Sequence, residues 1–228
     1  MTLLIAAADG FFRNLDAGKW GDIGQATLDT LLMLAGALPL TLLIGLPLGV
    51  ALFLCGAPQL RRRPVLYGAL AALINLLRSV PFIILMIAMI PLTLMLMGTS
   101  LGVRGAILPL VVGAAPFYAR LVETALREVD RGIIEASQAM GATTWQLVLR
   151  VLLPEARPGL IAGATVTTIA LIGFTAMGGA IGSGGLGDVA YREGYLRSHS
   201  DVALVTVIAL LVLVQLLGDR LVARYSRR

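Results

Sequence analysis

Long uncharged apolar runs alternate along this chain with short charged stretches. Residues 30–60, 79–103 and 158–187 contain no Asp, Glu, Lys or Arg. A helix needs roughly 20 apolar residues to cross the hydrocarbon of a bilayer. The runs are long enough, and the pattern predicts about five helical spans: residues 26–54, 65–97, 101–120, 158–181 and 201–218. The second is long for one crossing, and Pro81 and Pro91 both interrupt its ladder. A break is expected around Arg78-Ser-Val-Pro81, with two short spans as the alternative to one. Barrel strands would alternate in polarity over about 10 residues, and these runs do not. The expected fold is an all-α polytopic membrane protein, with residues 1–228 forming a single transmembrane domain.

Composition agrees: 58% of residues are hydrophobic and 14% charged, where a soluble domain carries about 25% charged residues. The net charge of +5 then reads as loop arginine rather than as a nucleic-acid surface. Placing the charged stretch 120–157 in the cytoplasm puts the N-terminus outside and the C-terminus inside. The cytoplasmic side receives Arg61, Arg62, Arg63, Arg120, Arg127, Arg131, Arg150, Arg157, Arg220, Arg224, Arg227 and Arg228; the outer side receives Arg13, Lys19, Arg104, Arg192 and Arg197. Twelve against five fits the positive-inside rule. The first eight residues are apolar, but no basic region precedes them as in a signal peptide.

The candidate chemistry is sparse. One cysteine, Cys55, excludes an internal disulfide and a Cys-based metal site. The single His199 has no ligand partners and reads as a solvated loop residue; no Ser–His–Asp set can be built on it. Gly182-Ser-Gly184-Gly-Leu-Gly187 fits the dinucleotide pattern GxGxxG, but it follows a membrane run instead of lying in a βαβ unit. A tightly packed or flexible outer loop is expected there. No P-loop motif occurs, so any ATP would be held by another polypeptide. No acid lies between residues 30 and 122 or between 156 and 187, which disfavours an ion-coupled carrier and a carboxylate-held metal.

Arg78, with Ser79 and Pro81 beside it, is the one base deep in a span. It either lines a pathway at the break or ties down carbonyls that Pro81 frees. Met177, before Gly178 and Gly179, is either part of a narrow apolar gate or ordinary helix packing.

Residues 120–157 differ from everything around them, with ten charged side chains in 38 residues. Residues 133–140 read as a short helix rich in small residues, Ala136, Ser137 and Ala139. Gly141 supplies a left-handed end. Thr143 or Thr144 caps a second helix from Trp145 onward, and Pro154 is expected to stop it. The result is a helix–turn–helix hairpin at the membrane surface, with Trp145 as a projecting contact anchor. The pattern by itself fits an amphipathic loop resting on lipid equally well.

The order Glu-Ala-Ser, three residues, Gly, nine residues, Val-Leu-Leu-Pro resembles the signature loop of ABC-importer permeases, Glu-Ala-Ala, three residues, Gly, nine residues, Ile-x-Leu-Pro. Glu135, Ala136, Gly141, Leu153 and Pro154 match; Ser137 stands for the second Ala and Val151 for Ile. "GLPLGVALF", "RSVPFIILMIAMIPLT", "VGAAPFYARLVETALREV" and "TAMGGAIGSGGLGDVAYREGY" are similar to methionine-importer permeases, a resemblance that extends over most of the chain from about residue 45 to residue 220. The first 25 residues match less distinctively.

The resemblance implies that this loop is a coupling helix docking into a groove on a separate ATPase. The docking residues would be Glu135, Ala136, Ser137, Ala139, Gly141, Ala142 and Trp145. It further implies a homodimer in a bacterial inner membrane, two ATP-binding subunits inside and an extracytoplasmic substrate-binding lipoprotein. This chain would bind no cofactor or metal and make or break no covalent bond. Methionine, including the D-isomer and close derivatives, is the implied substrate; another amino acid or small polar solute is the alternative. Rivals of other classes are a secondary carrier and a non-transport membrane scaffold, and copurification of a P-loop ATPase separates them.

Overall fold

The computed structural model describes residues 17–57, 63–197, 205–209, 212, 215 and 216. The regular elements among them are all helical. They are α1 (Ala17–Gly56), α2 (Pro64–Ser79), α3 (Phe82–Ala88), α4 (Ile90–Met97), α5 (Gly102–Arg127), α6 (Arg131–Ala139), α7 (Thr144–Leu147), α8 (Leu153–Glu155), α9 (Arg157–Gly179) and α10 (Gly185–Val189). Two π-helical turns, Val148–Leu152 and Ala190–Leu196, join α7 to α8 and follow α10.

Among the described residues, three helices are long and apolar enough to cross a membrane: Gly18–Gly56, Gly102–Arg127 and Arg157–Gly179. α1 starts nine residues before the apolar run, because polar residues such as Gln25 and Asp29 continue the same helix and bond to each other at 3.0 Å. The run 65–97 is not one helix. α2 ends at Ser79, and Val80 is extended (φ −76, ψ 125), as the residue before a proline prefers. Pro64 opens α2 and Pro91 lies in the first turn of α4, where a missing N–H leaves no bond unmade. The pair α2–α3 counts as one broken span or as a re-entrant segment, so the described residues hold three spans, or four. The expected fifth span, 201–218, lies largely outside the described residues, as do the first 16 residues, Arg61, Arg62, His199 and the last 12.

The chain groups into two compact units, each assembled from several segments. Of the described residues, those within 17–38, 82–110 and 169–216 form the first, and those within 39–81 and 111–168 the second.

In the first unit, the GxGxxG stretch is a tight turn. Gly182, Gly184 and Gly185 all have positive φ. The Gly102 N–H donates to the Gly182 carbonyl (2.9 Å), and the Leu186 N–H to Thr30 Oγ1 (3.0 Å). A Cβ on Gly187 would stand 2.1 Å from the Ala176 carbonyl oxygen. Close packing against the end of α9 explains the glycines, and no strand precedes them. Glu193, buried, accepts from Lys19 (2.8 Å) and Arg197 (2.7 Å) nearby in the same unit.

In the second unit, α5 is the packing centre. A Cβ on Gly49 would sit 2.5 Å from the Ala119 carbonyl oxygen, and one on Gly159 2.8 Å from the Ala125 Cβ. Gly45 and Gly49 of α1, and Gly159 and Gly163 of α9, are small residues four apart, the spacing that lets membrane helices touch along their backbones. Leu52, Ile74 and Ala119 pack α1 and α2 onto the same helix.

Candidate functional site

Beyond α5 the chain turns through Glu128–Asp130 into the hairpin. Asp130 caps α6: its carboxylate accepts the N–H groups of Gly132 (2.7 Å) and Ile133 (3.3 Å). α6 ends at Met140, followed by Gly141 at φ 82. The Gly141 N–H donates to the Gln138 carbonyl (2.9 Å) and the Ala142 N–H to the Ser137 carbonyl (3.1 Å). These are the two bonds of a Schellman ending, which requires a left-handed residue where Gly141 stands. Of the two threonines, Thr143 is the cap. Its hydroxyl accepts the Gln146 N–H (3.3 Å), and the Gln146 side chain accepts the Thr143 N–H (2.9 Å).

Pro154 does not stop the second helix. The chain runs from α7 through the π turn Val148–Leu152 into α8, and Pro154 lies in the first turn of α8. The wider π turn places the break in the hydrogen-bond ladder where proline has no N–H to offer.

The inward face of the hairpin is apolar. Ile134, Leu147, Val148, Leu152 and Ala156 share a core with Phe53, Ala57, Tyr118, Val122, Ala125, Leu126 and Val129. The outward face carries Glu135, Ala136, Ala139 and Gly141, all exposed, with Ala142 half-buried. Met140 is 81% exposed and Trp145 70%. Ser137, also in the expected docking set, is buried, three residues from Ile134 on the inward face, and its hydroxyl donates to the Ile133 carbonyl at 2.7 Å.

A second cluster lies on α2 and α5. Glu123 is 2% exposed. One of its oxygens accepts from Arg127 Nε (3.1 Å), Arg127 Nη2 (2.7 Å) and the Tyr67 hydroxyl (3.2 Å); the other accepts from Arg120. Arg120 also donates to Asn75 Oδ1 (3.1 Å). Arg120 and Arg127 were expected as loop charges, but both belong to α5 and are engaged by Glu123. The signal was in the sequence: Arg120, Glu123 and Arg127 are spaced three and four apart, on one helix face.

Of the expected pathway residues, Arg78 is exposed near the end of α2, with its guanidinium carbon 5.7 Å from the Phe117 ring centre. Among the described residues it makes no hydrogen bond and no ion pair, so it does not tie down the carbonyls near Pro81. Ser79 donates to the Asn75 carbonyl (2.8 Å), and Pro81 follows the break. Met177 is half-exposed and belongs to the first unit, apart from the other three.

Apolar spanning helices that carry a capped hairpin, with its small-residue face and one aromatic turned outward, have the form that the resemblance implies for the membrane permease subunit of an ABC importer. The chain belongs to the family of binding-protein-dependent transport system inner membrane components, whose profile matches residues 42–228. Among its relatives, the "Probable D-methionine transport system permease protein MetI" of Vibrio cholerae is 47% identical over 206 residues, 89% of this chain and 92% of that one. The methionine import system permease protein MetP of Bacillus subtilis is 46% identical over 212 residues, 92% of this chain and 94% of that one. A chain of the MetNI methionine ABC transporter in an inward-facing conformation superposes with a TM-score of 0.89 at 45% identity, covering 93% of this chain and all of the other.

Proposed function

We propose that this chain is the permease subunit of a methionine importer, taking L-methionine, D-methionine or both. It works as a homodimer with two separate ATPase subunits on the cytoplasmic side and an extracytoplasmic binding protein that delivers the substrate. The observation that carries the reading is the hairpin. Its face of Glu135, Ala136, Ala139, Met140 and Trp145 is rigidly seated on a buried core, within a chain matched along 93% of its length by a MetNI subunit. Closure of the ATPases around ATP draws two such hairpins together and turns the spans from inward-open to outward-open.

Coexpression with the ATPase and binding protein of the same system, followed by purification and reconstitution, tests this. The ATPase copurifies, and vesicles accumulate radiolabelled methionine only with ATP and loaded binding protein. Failure of the ATPase to copurify, or methionine uptake indifferent to ATP, would sink the reading. The topology of five spans with the N-terminus outside has its own test in a Cys55→Ser background. A cysteine at Gly194 labels from outside and one at Gln146 only from inside; labelling of both from one side contradicts it.

A further inference from the structure

We infer that the face shared by α2 and α5 is a binding stripe for the carboxylate of an amino-acid zwitterion, headed by Arg78. The inference rests on the permease reading above and adds which part of the solute this chain recognises. Along the stripe stand Arg127, Glu123, Tyr67, Arg120, Asn75 and Arg78. The stripe holds three guanidinium groups and one carboxylate, and two of the three, Arg120 and Arg127, bond to it. That carboxylate is fully occupied, because Glu123 accepts from Arg120, from Arg127 twice and from Tyr67. The stripe is therefore cationic, and the surplus sits at Arg78.

Arg78 is exposed and its N–H donors are untaken among the described residues. Phe117 holds the guanidinium from one side. An unpaired charge facing hydrocarbon at this depth is costly, so this surface meets water or an anion. The apolar runs of a second copy offer no anion: no Asp or Glu occurs between residues 30 and 122, nor between 156 and 187. In this inference the counter-ion arrives with the solute. A guanidinium fork matches a carboxylate through two parallel bonds. Asn75 lies one turn earlier, also exposed; its carbonyl oxygen is taken by Arg120, which leaves its NH2 as a further donor.

The break supplies the complementary group. α2 ends at Ser79, and Pro81 offers no N–H, so carbonyls of the last turn of α2 have no helical donor. Such carbonyls beside Arg78 suit an ammonium. One short segment thus presents donors for a carboxylate and acceptors for an amine, with nothing polar built for a side chain.

The test uses the assembled permease–ATPase complex in neutral-lipid nanodiscs without binding protein. Binding of radiolabelled L-methionine is measured against L-methioninol, which keeps the ammonium and lacks the carboxylate. Saturable weak binding of methionine is expected, with methioninol unable to compete. Arg78→Gln should weaken binding about tenfold or more, as expected for loss of a charge-assisted pair, and Arg78→Lys should fall between. ATPase retention by each variant reports assembly, and the analogue comparison on wild type needs no variant.

Absence of saturable binding, equal competition by methioninol, or unchanged binding in an assembled Arg78→Gln complex overturns the inference. So does displacement of methionine by phosphatidylglycerol, which would make the stripe a lipid site. If another amino acid proves to be the cargo, the same pair of acid and amino alcohol is used. ATP-driven methionine uptake that survives Arg78→Gln unchanged refutes the stripe alone, whereas a complex that imports no amino acid refutes the permease reading beneath it.

Discussion

Replacing Gly141 should break the coupling of the hairpin through backbone strain alone. The residue sits at φ 82, and a Cβ built there meets nothing within 4 Å. Side-chain size is therefore not what selects glycine; the left-handed backbone is. That conformation costs an ordinary L-residue about 1–2 kcal/mol, less for Asn, and makes a β-branched residue a true outlier. A penalty of about 1–2 kcal/mol is a factor of roughly 5–30 in the ratio of the native turn to its alternatives. The two Schellman bonds, Gly141 to Gln138 and Ala142 to Ser137, are lost with the turn.

The expected series for ATPase retention and for ATP turnover stimulated by loaded binding protein is Gly, then Asn, then Ala, then Val. The level of permease in the membrane should stay constant, because the spans do not depend on this turn. Glu135→Lys, at an exposed position, should weaken docking without bending the chain. Full retention and full stimulated turnover in Gly141→Val would refute the rigid-turn argument. Asn as damaging as Val would show that something other than φ selects glycine here.

Three further changes read other parts of the second unit, with a control at Gly173 in the first. Glu123→Gln leaves Arg120 and Arg127 around a neutral amide, and the purified permease should lose about 1–3 kcal/mol of stability, seen as a lower unfolding midpoint in detergent; an unchanged midpoint contradicts the cluster's role. Gly49→Val drives a Cβ to 2.5 Å from the Ala119 carbonyl and the Val122 Cβ, so the variant should fall in membrane abundance, while Gly173→Ala, with nothing within 4 Å, should not. Trp145→Ala removes a 70%-exposed aromatic; insertion should be normal, with ATPase affinity down by about 2 kcal/mol, or roughly 30-fold, in a titration of the complex.

Hydropathy found α1, α5 and α9 because lipid admits little besides helices along an uncharged run. The turn at Gly141 and the caps were equally local: a glycine, a threonine and a glutamine at fixed offsets specify them. What hydropathy could not see were polar residues that continue a helix, as in the first nine residues of α1. A breaker rule misjudged Pro154, because the π turn Val148–Leu152 just upstream makes room for it. A family pattern marked Ser137 as part of the docking loop, but the three-residue step from Ile134 turns it inward. The Glu123 cluster was half legible. The spacing of Arg120, Glu123 and Arg127 lies on one helix face, whereas Tyr67 and Asn75 are 56 and 45 positions away from their partners and join only once α2 packs on α5.

If the hairpin docks on the ATPase as proposed, the contacts on α5 are its route to helices far longer than itself. At Gly49 and Gly159 the helices approach so closely that an added Cβ would stand 2.5 Å from the Ala119 carbonyl oxygen and 2.8 Å from the Ala125 Cβ, which leaves little slack to absorb a displacement. The core under the hairpin joins Ile134, Leu147 and Leu152 directly to Val122 and Leu126. A force on the face between Glu135 and Trp145 is therefore carried into α5 instead of being dissipated within the loop. From α5 it reaches α2 through the Glu123 bonds to Tyr67 and through Arg120 to Asn75. α2 is free to respond at one place, the extended Val80 before Pro81, where no helical hydrogen bond crosses. Arg78 sits two residues before that point, so the group best suited to hold a carboxylate stands where movement of the hairpin arrives.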